Sequence, residues 1–380
     1  MFLSACSDIV PASSFSAYGT SSSPSKIRNT YLHQKLDDEC LFPQTDPDFD
    51  LETKSLSGVA YALVQKGIDN LYPPTELSSR NAMSRTDGYW KFVEKGAKPP
   101  LEFTYGEFDL FFFGKLLDRA WEYYDETTRD KTAWENKTFC DIGSGTGRLV
   151  LSAAALHPQW RVCKGLEILQ GIHNVSVSIA EGCIVASERE DDNTKSVLRI
   201  PSDEDDTTFV DLAPTQMIHG SFTDPYQYLG DIDCAFVFSS CMNPALLEEL
   251  SIAIGRQCRP GTIIITTEFP LFLRGHIDAI QDDPGMPFGD YEIELLDKID
   301  GWCWLMGGES TAYIHRVKRS LSVEYGGQRE VPCLGLKEEA FQLVQLMEKG
   351  ELTDSKEFMR NVRNNMIFNG LPPEFLPEAE

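Results

Sequence analysis

Two hydrophobic periods alternate along the middle of the chain. From residue 138 onward, short apolar runs typical of buried strands alternate with longer segments whose apolar residues recur every three or four positions. This alternation predicts βαβ units and a mostly parallel sheet. The predicted strands cover 138–142, 161–167, 215–219, 233–238 and 262–267, with a closing pair near 291–299 and 310–318. The predicted helices cover 147–157, 170–187 and 244–258.

The N-terminal third has a different pattern. Residues 1–50 are polar with runs of Ser and Pro, so we expect a disordered tail. Residues 51–130 are predicted to form a helical region that covers a ligand site on the core. Its two amphipathic segments, 56–71 and 108–124, have the apolar spacing of helices, and the first stops at a pair of prolines.

The core is predicted to cover residues 131–320 and to contain an insert. Residues 188–211 are acidic and almost free of apolar side chains, so we expect a solvated loop there. Residues 321–380 are predicted to hold two short helices within 336–367 and a terminal tail.

The segment Asp141-Ile-Gly-Ser-Gly-Thr-Gly147 links the first predicted strand to the first helix. Glycines at alternate positions let backbone N–H groups approach a ligand and direct a helix N-terminus at it. The usual dinucleotide fingerprint requires a third glycine where this chain has Arg148. A site for a nucleotide pyrophosphate is therefore the weaker interpretation.

A second acid follows about one βα unit later. The predicted strand 161–167 ends in Glu167, roughly 20 residues beyond the glycine turn. A carboxylate at the end of the second strand can accept hydrogen bonds from both ribose hydroxyls. Strand, glycine turn, helix, strand and acid in this order predict a nucleoside site.

The alternating glycines after an acid resemble the first motif of class I S-adenosylmethionine (SAM) methyltransferases. The resemblance implies an α/β fold, a Rossmann-like sheet of seven mostly parallel strands with helices on both faces, with helical additions at both ends. It also implies SAM as the cofactor. Asp141, Gly143, Ser144, Gly145 and Gly147 would then belong to the turn around its methionine part, and Glu167 would bind the ribose.

A more specific resemblance is to the Dot1-like subgroup of histone-lysine methyltransferases. Tyr105-Gly-Glu107 precedes the core by a spacing similar to that of the family's Tyr-Gly-Glu loop, which folds over the cofactor. The resemblance covers about residues 100–318 and places Tyr105 and Glu107 over the cofactor. It also places Phe222 against the adenine.

The chain departs from this subgroup at several positions. Ser221 stands where an acid would bond the adenine amino group, and a hydroxyl makes the weaker hydrogen bond. Ser239-Ser240-Cys241 stands where the family has Asn-Asn-Phe, and Ala312 replaces the first of two tyrosines. With the residues at the departing positions included, those predicted to bind the cofactor are Tyr105, Glu107, Asp141, Gly143, Ser144, Gly145, Gly147, Glu167, Ser221, Phe222 and Ser239.

Methyl transfer from a sulfonium requires alignment and exclusion of water more than a particular acid or base. The catalytic candidates are Ser239, Ser240 and Tyr105, which the pattern places near a strand end or over the site. The predicted acceptor is an unidentified protein, with lysine as one candidate, or a small molecule. A SAM-binding scaffold without turnover is the alternative, and a nicotinamide oxidoreductase is a third hypothesis. His219 and His315 are predicted to be core histidines.

Charge and cysteine usage narrow the partners and the compartment. The 59 acids and 34 bases give a net charge of -25, which disfavours nucleic acid as a direct partner. The ten cysteines show no metal-ligand spacing, so we expect no metal and an intracellular, reducing compartment, cytoplasm or nucleus. No apolar run is long enough for a membrane span. A Ser-rich N-terminus leaves organelle targeting as an alternative, and the oligomeric state is left open.

Overall fold

The computed structural model describes the core and part of the region before it. The described residues are 52–89, 95–97, 105–124, 132–186, 194–201, 208–224, 227–279, 288–303 and 308–321. The expected tail at 1–50 and the expected helices at 336–367 lie outside these ranges.

Among the described residues before the sheet there are three α-helices: α1 (Tyr61–Leu71), α2 (Leu77–Ser84) and α3 (Leu110–Tyr124). A turn with a backbone hydrogen bond from Ser55 to Val59 occupies the start of the predicted 56–71 segment, so α1 begins later than expected. The Asp109 carboxylate accepts a hydrogen bond from the Phe112 N–H and so helps to fix the start of α3. A π-helical turn, Arg85–Tyr89, follows α2.

The strands and the remaining helices follow in chain order. The strands are β1 (Thr138–Ile142), β2 (Val162–Glu167), β3 (Ile184–Ala186), β4 (Thr194–Ile200), β5 (Thr208–Asp211), β6 (Thr215–His219), β7 (Cys234–Val237), β8 (Ile263–Thr267), β9 (Arg274–Ile277), β10 (Gly289–Cys303) and β11 (Gly308–Arg319). The helices are α4 (Arg148–Leu156), α5 (Gln170–Gly182) and α6 (Pro244–Gln257).

In the described part of the chain, the main sheet has eight strands in the order β6-β2-β1-β7-β8-β11-β10-β9. The first five are parallel, and β11, β10 and β9 are antiparallel to their neighbours. The chain adds β2 and β6 on one side of β1, and β7 and β8 on the other side. The boundary between β1 and β7 is the switch point of the sheet, which is where open α/β sheets bind ligands. The order confirms the predicted α/β, Rossmann-like fold. The predicted seven strands were one too few, because β9 adds an eighth at the edge.

Helices cover both faces of the sheet, as predicted. One apolar cluster joins the sheet to α1, α3 and α4, and a second joins the opposite face to α6. Every residue of β1 and β8 is buried, as expected for parallel strands covered on both sides. Within the described ranges, no helix combines the length and the apolarity that a membrane span requires.

The prediction of a solvated loop at 188–211 was wrong for its described part. β3, β4 and β5 form a separate antiparallel sheet, and predicted helix 170–187 ends at Gly182, before β3. Leu198 and Ile200 of β4 are buried against α1, where a side chain at Gly67 would lie within 2.6 Å of each. These two apolar side chains therefore hold the insert against α1 at Gly67.

Candidate functional site

The glycine turn leaves β1 at the switch point of the sheet. Gly143, Gly145 and Gly147 have φ angles of 83°, 55° and 81°, in the left-handed region that favours glycine. A Cβ at Gly145 would lie 2.7 Å from a ring carbon of Tyr105. Both the backbone conformation and the close ring therefore require glycine at this position.

Two acids lie on either side of the turn, at the ends of adjacent strands. The Glu167 carboxylate accepts hydrogen bonds from the Gly145 N–H at 2.7 Å and from the Leu169 N–H at 2.8 Å. Burial raises the pKa of Glu167, and these backbone donors oppose the rise. Asp141 is 3% exposed, and burial together with the nearby Glu167 raises its pKa to about 8. The sequence-predicted turn and acid are thus in direct contact.

A cavity of about 520 Å³ opens at this end of the sheet, within the usual range for small-molecule sites. It brings together most of the sequence-predicted residues. Those that line it are Tyr105, Glu107, Asp141, Gly143, Ser144, Gly145, Glu167, Ser221, Phe222 and Ser240.

Two predicted site residues do not line the cavity. Ser239 is fully buried behind its wall, where its Oγ donates to the Thr267 carbonyl and accepts from the Thr267 N–H. Its hydroxyl therefore does not face the cavity, and its role next to a reacting methyl group stays a prediction that this position does not support. Gly147 precedes α4 and packs against Met217 and Ser176, so its glycine serves the fold.

Further lining residues were missed by the sequence reasoning. Cys241, Met242 and Asn243 follow β7, and Leu246 lies in the first turn of α6, which the Asn243 side chain caps. Arg148, the first residue of α4, also lines the cavity. The available signal was position, because these residues lie in the segments that follow the carboxyl ends of β1 and β7.

The two histidines differ. His315 is buried and bonds the Leu271 N–H and the Ile264 carbonyl, so it is the predicted core histidine. His219 is exposed, and its Nε2 lies 3.0 Å from the Ile168 carbonyl oxygen, so the core prediction was wrong there. It is the last residue of β6, which is an edge strand of the sheet that the described residues form.

Several groups at the turn are suited to a polar, positively charged ligand. Within the described residues, no donor bonds the Asp141 carboxyl, and the buried Ser144 hydroxyl has no partner. The space where a side chain would stand at Gly143 is open. The described ranges contain no group of three or more side chains suited to hold a metal ion.

No protein-family model and no curated protein matches the chain. Solved structures similar to it include an RNA methyltransferase from Salinibacter ruber in complex with S-adenosyl-L-homocysteine, with 17% identity, coverage of 54% of this chain and 91% of that one, and a TM-score of 0.29. A putative methylase from Haemophilus influenzae has 13% identity, 55% and 89% coverage and a TM-score of 0.32. A precorrin-6y C5,15-methyltransferase from Geobacter metallireducens has 12% identity, 53% and 89% coverage and a TM-score of 0.29. Similarities this weak assign no function, and the fold rests on the strand order.

Proposed function

We propose that this chain is a SAM-dependent methyltransferase whose acceptor is an unidentified protein or small molecule. The observation that carries the proposal is the meeting of Asp141, the glycine turn and Glu167 in one cavity at the switch point of the sheet. An acid at each of two adjacent strand ends, with open space at Gly143 of the turn between them, suits a nucleoside attached to a cationic amino acid.

Three groups of cavity residues would each hold a different part of the ligand. Asp141 and the turn would hold the amino-acid part, and Glu167 would hold the ribose, because a carboxylate that already accepts two N–H bonds keeps further acceptor positions. Phe222 would pack on the adenine, with Ser221 near its amino group. Bound SAM would supply a methyl group activated by its positive sulfur.

The protein's contribution to transfer would be alignment and exclusion of water. Ser240 and Tyr105 line the cavity and are the candidates nearest an acceptor, whereas the buried hydroxyl of Ser239 is not. A SAM-binding protein without turnover is the second candidate, because the predicted cofactor residues largely line the cavity and one of the three catalytic candidates does not. None of the comparisons supports the Dot1-like subgroup, so the proposal does not extend to histone lysine.

Isothermal titration with SAM, S-adenosylhomocysteine (SAH) and NAD tests the ligand. We expect binding of the first two and none of NAD. Transfer of a tritiated methyl group to cell extract tests turnover, with Gly145→Arg as the inactive variant. Gly58→Arg is the matched control, because Gly58 also has a positive φ but has open space around it.

Binding of NAD in place of SAM would refute the proposal. Binding of SAM without transfer to any extract component would instead favour the scaffold. Loss of transfer in both glycine variants would show general damage to the fold.

A further inference from the structure

Two tyrosines from the N-terminal region contact the same residue of the glycine turn. Tyr72, which follows α1, donates a hydrogen bond from its Oη to the Thr146 carbonyl at 2.8 Å. The Tyr105 Oη lies 2.8 Å from the Thr146 Oγ1. Tyr72 and Thr146 are both buried. The turn is therefore bonded from outside the strand and helix that it joins.

Arg80 of α2 connects the two tyrosines. Its Nε donates to the Glu107 Oε1 at 2.6 Å, and the same oxygen accepts from the Tyr105 Oη at 2.9 Å. Its Nη1 donates to the Pro73 carbonyl at 3.1 Å, and its guanidinium lies over the Tyr72 ring. The contacts thus form one closed ring of linked residues beside the turn: Thr146, Tyr72, Arg80, Glu107 and Tyr105.

The turn needs such contacts because its sequence gives it little rigidity. Its three glycines with positive φ could adopt many other conformations. The Thr146 carbonyl accepts the buried Tyr72 hydroxyl, and a buried acceptor that loses its donor carries a full desolvation penalty. Removing the Tyr72 hydroxyl would therefore favour turn conformations in which this carbonyl finds another donor.

We propose that Tyr72 is a positioning residue for the amino-acid end of the ligand. It holds the main chain of the glycine turn in the conformation that receives this end, an inference that rests on the proposed function. The N-terminal helical region is then part of the binding site, although α1 itself does not line the cavity.

The test compares two ligands in Tyr72→Phe. SAH carries the amino-acid part, and 5′-methylthioadenosine lacks it but keeps the nucleoside. We expect SAH binding, measured by isothermal titration, to weaken about tenfold, and methylthioadenosine binding to change less than about twofold. A general loss of stability would affect both ligands.

Tyr61→Phe is the matched control. Tyr61 is an equally buried tyrosine at the start of α1, and its hydroxyl bonds Asp118 rather than the turn. The control should lower stability without changing the ratio of the two affinities. Hydrogen exchange of the peptide around Thr146 provides a second, ligand-free measurement, and it should speed up in Tyr72→Phe but not in Tyr61→Phe.

The outcomes separate the two proposals. If the wild type binds neither ligand, the proposed function fails, and the exchange measurement still decides whether Tyr72 holds the turn. If the wild type binds both ligands, an equal loss of both in Tyr72→Phe overturns the positioning role. Unchanged SAH binding overturns it as well, and in both cases the proposed function stands.

Discussion

Relative to the wild type, the free energy of unfolding of Asp141→Asn should rise as the pH rises from about 5 to about 8. Burial, with the nearby Glu167, raises the pKa of Asp141 from 3.8 to about 8. Between these values the folded chain keeps a proton that the unfolded chain has lost. Unfolding then releases a proton, so the stability of the wild type falls as the pH rises. Asn has nearly the same shape and no titration, so the variant lacks this loss.

The size of the effect follows from the pKa difference. Where the folded chain holds this proton and the unfolded chain has lost it, each pH unit lowers the free energy of unfolding of the wild type by about 1.4 kcal/mol. From about pH 5 to about pH 8 the variant should therefore gain roughly 3–4 kcal/mol relative to the wild type, allowing for partial titration at the upper end. Because Asp141 is almost fully buried, solvent screening reduces this figure little.

Urea unfolding of both proteins at several pH values in this interval measures the difference. Glu181→Gln, at an exposed position on α5, controls for the loss of one negative charge. The control should show no comparable rise. Parallel stability curves for the wild type and Asp141→Asn would show that the carboxyl is ionised in the folded protein, and the reasoning from burial would be wrong.

The remaining predictions concern ligand binding and packing. If a cationic ligand ionises Asp141, SAM binding near pH 7 should release up to about one proton, seen by titration calorimetry in buffers of different ionisation enthalpy, and Asp141→Asn should release none. Phe222→Ala should weaken SAH binding about tenfold or more by calorimetry through lost stacking, whereas Phe209→Ala, on the exposed face of the insert, should not change it. Gly67→Ala should lower the free energy of unfolding by about 1–3 kcal/mol, because its Cβ would overlap side chains of β4. Gly182→Ala, with open space, should not, and equal effects of the two alanines would contradict this packing argument.

The sequence predicted the parts of the fold that depend on local pattern. β1 and β8 are continuous buried runs, and the glycine turn shows its unusual backbone through residue type alone. Glu167 was predictable because a fixed topology places the end of the second strand beside the turn. Each of these features is determined within one βα unit.

The missed features depend on contacts between distant parts of the chain. β4 is a strand in an acidic segment because Leu198 reaches Gly67, and periodicity within the segment does not show that contact. Tyr72 reaches Thr146 across 74 positions of sequence, and nothing near Tyr72 marks it as different from other core tyrosines. Residue type predicted the turn, but only the fold identifies the side chains that hold it.

The sequence alone does not distinguish the two adjacent serines that follow β7. Ser239 and Ser240 were equivalent candidates, since both follow β7 at the carboxyl edge of the sheet. A short 3-10 turn, Ser239–Cys241, begins there and gives the two side chains different directions. Ser239 bonds both main-chain groups of Thr267 and so joins the ends of β7 and β8, whereas Ser240 lines the cavity. The Ser239 hydroxyl therefore stabilises the edge of the sheet from which the Ser240 side chain reaches the cavity. Ser239→Ala should act mainly through stability, and Ser240→Ala mainly through transfer.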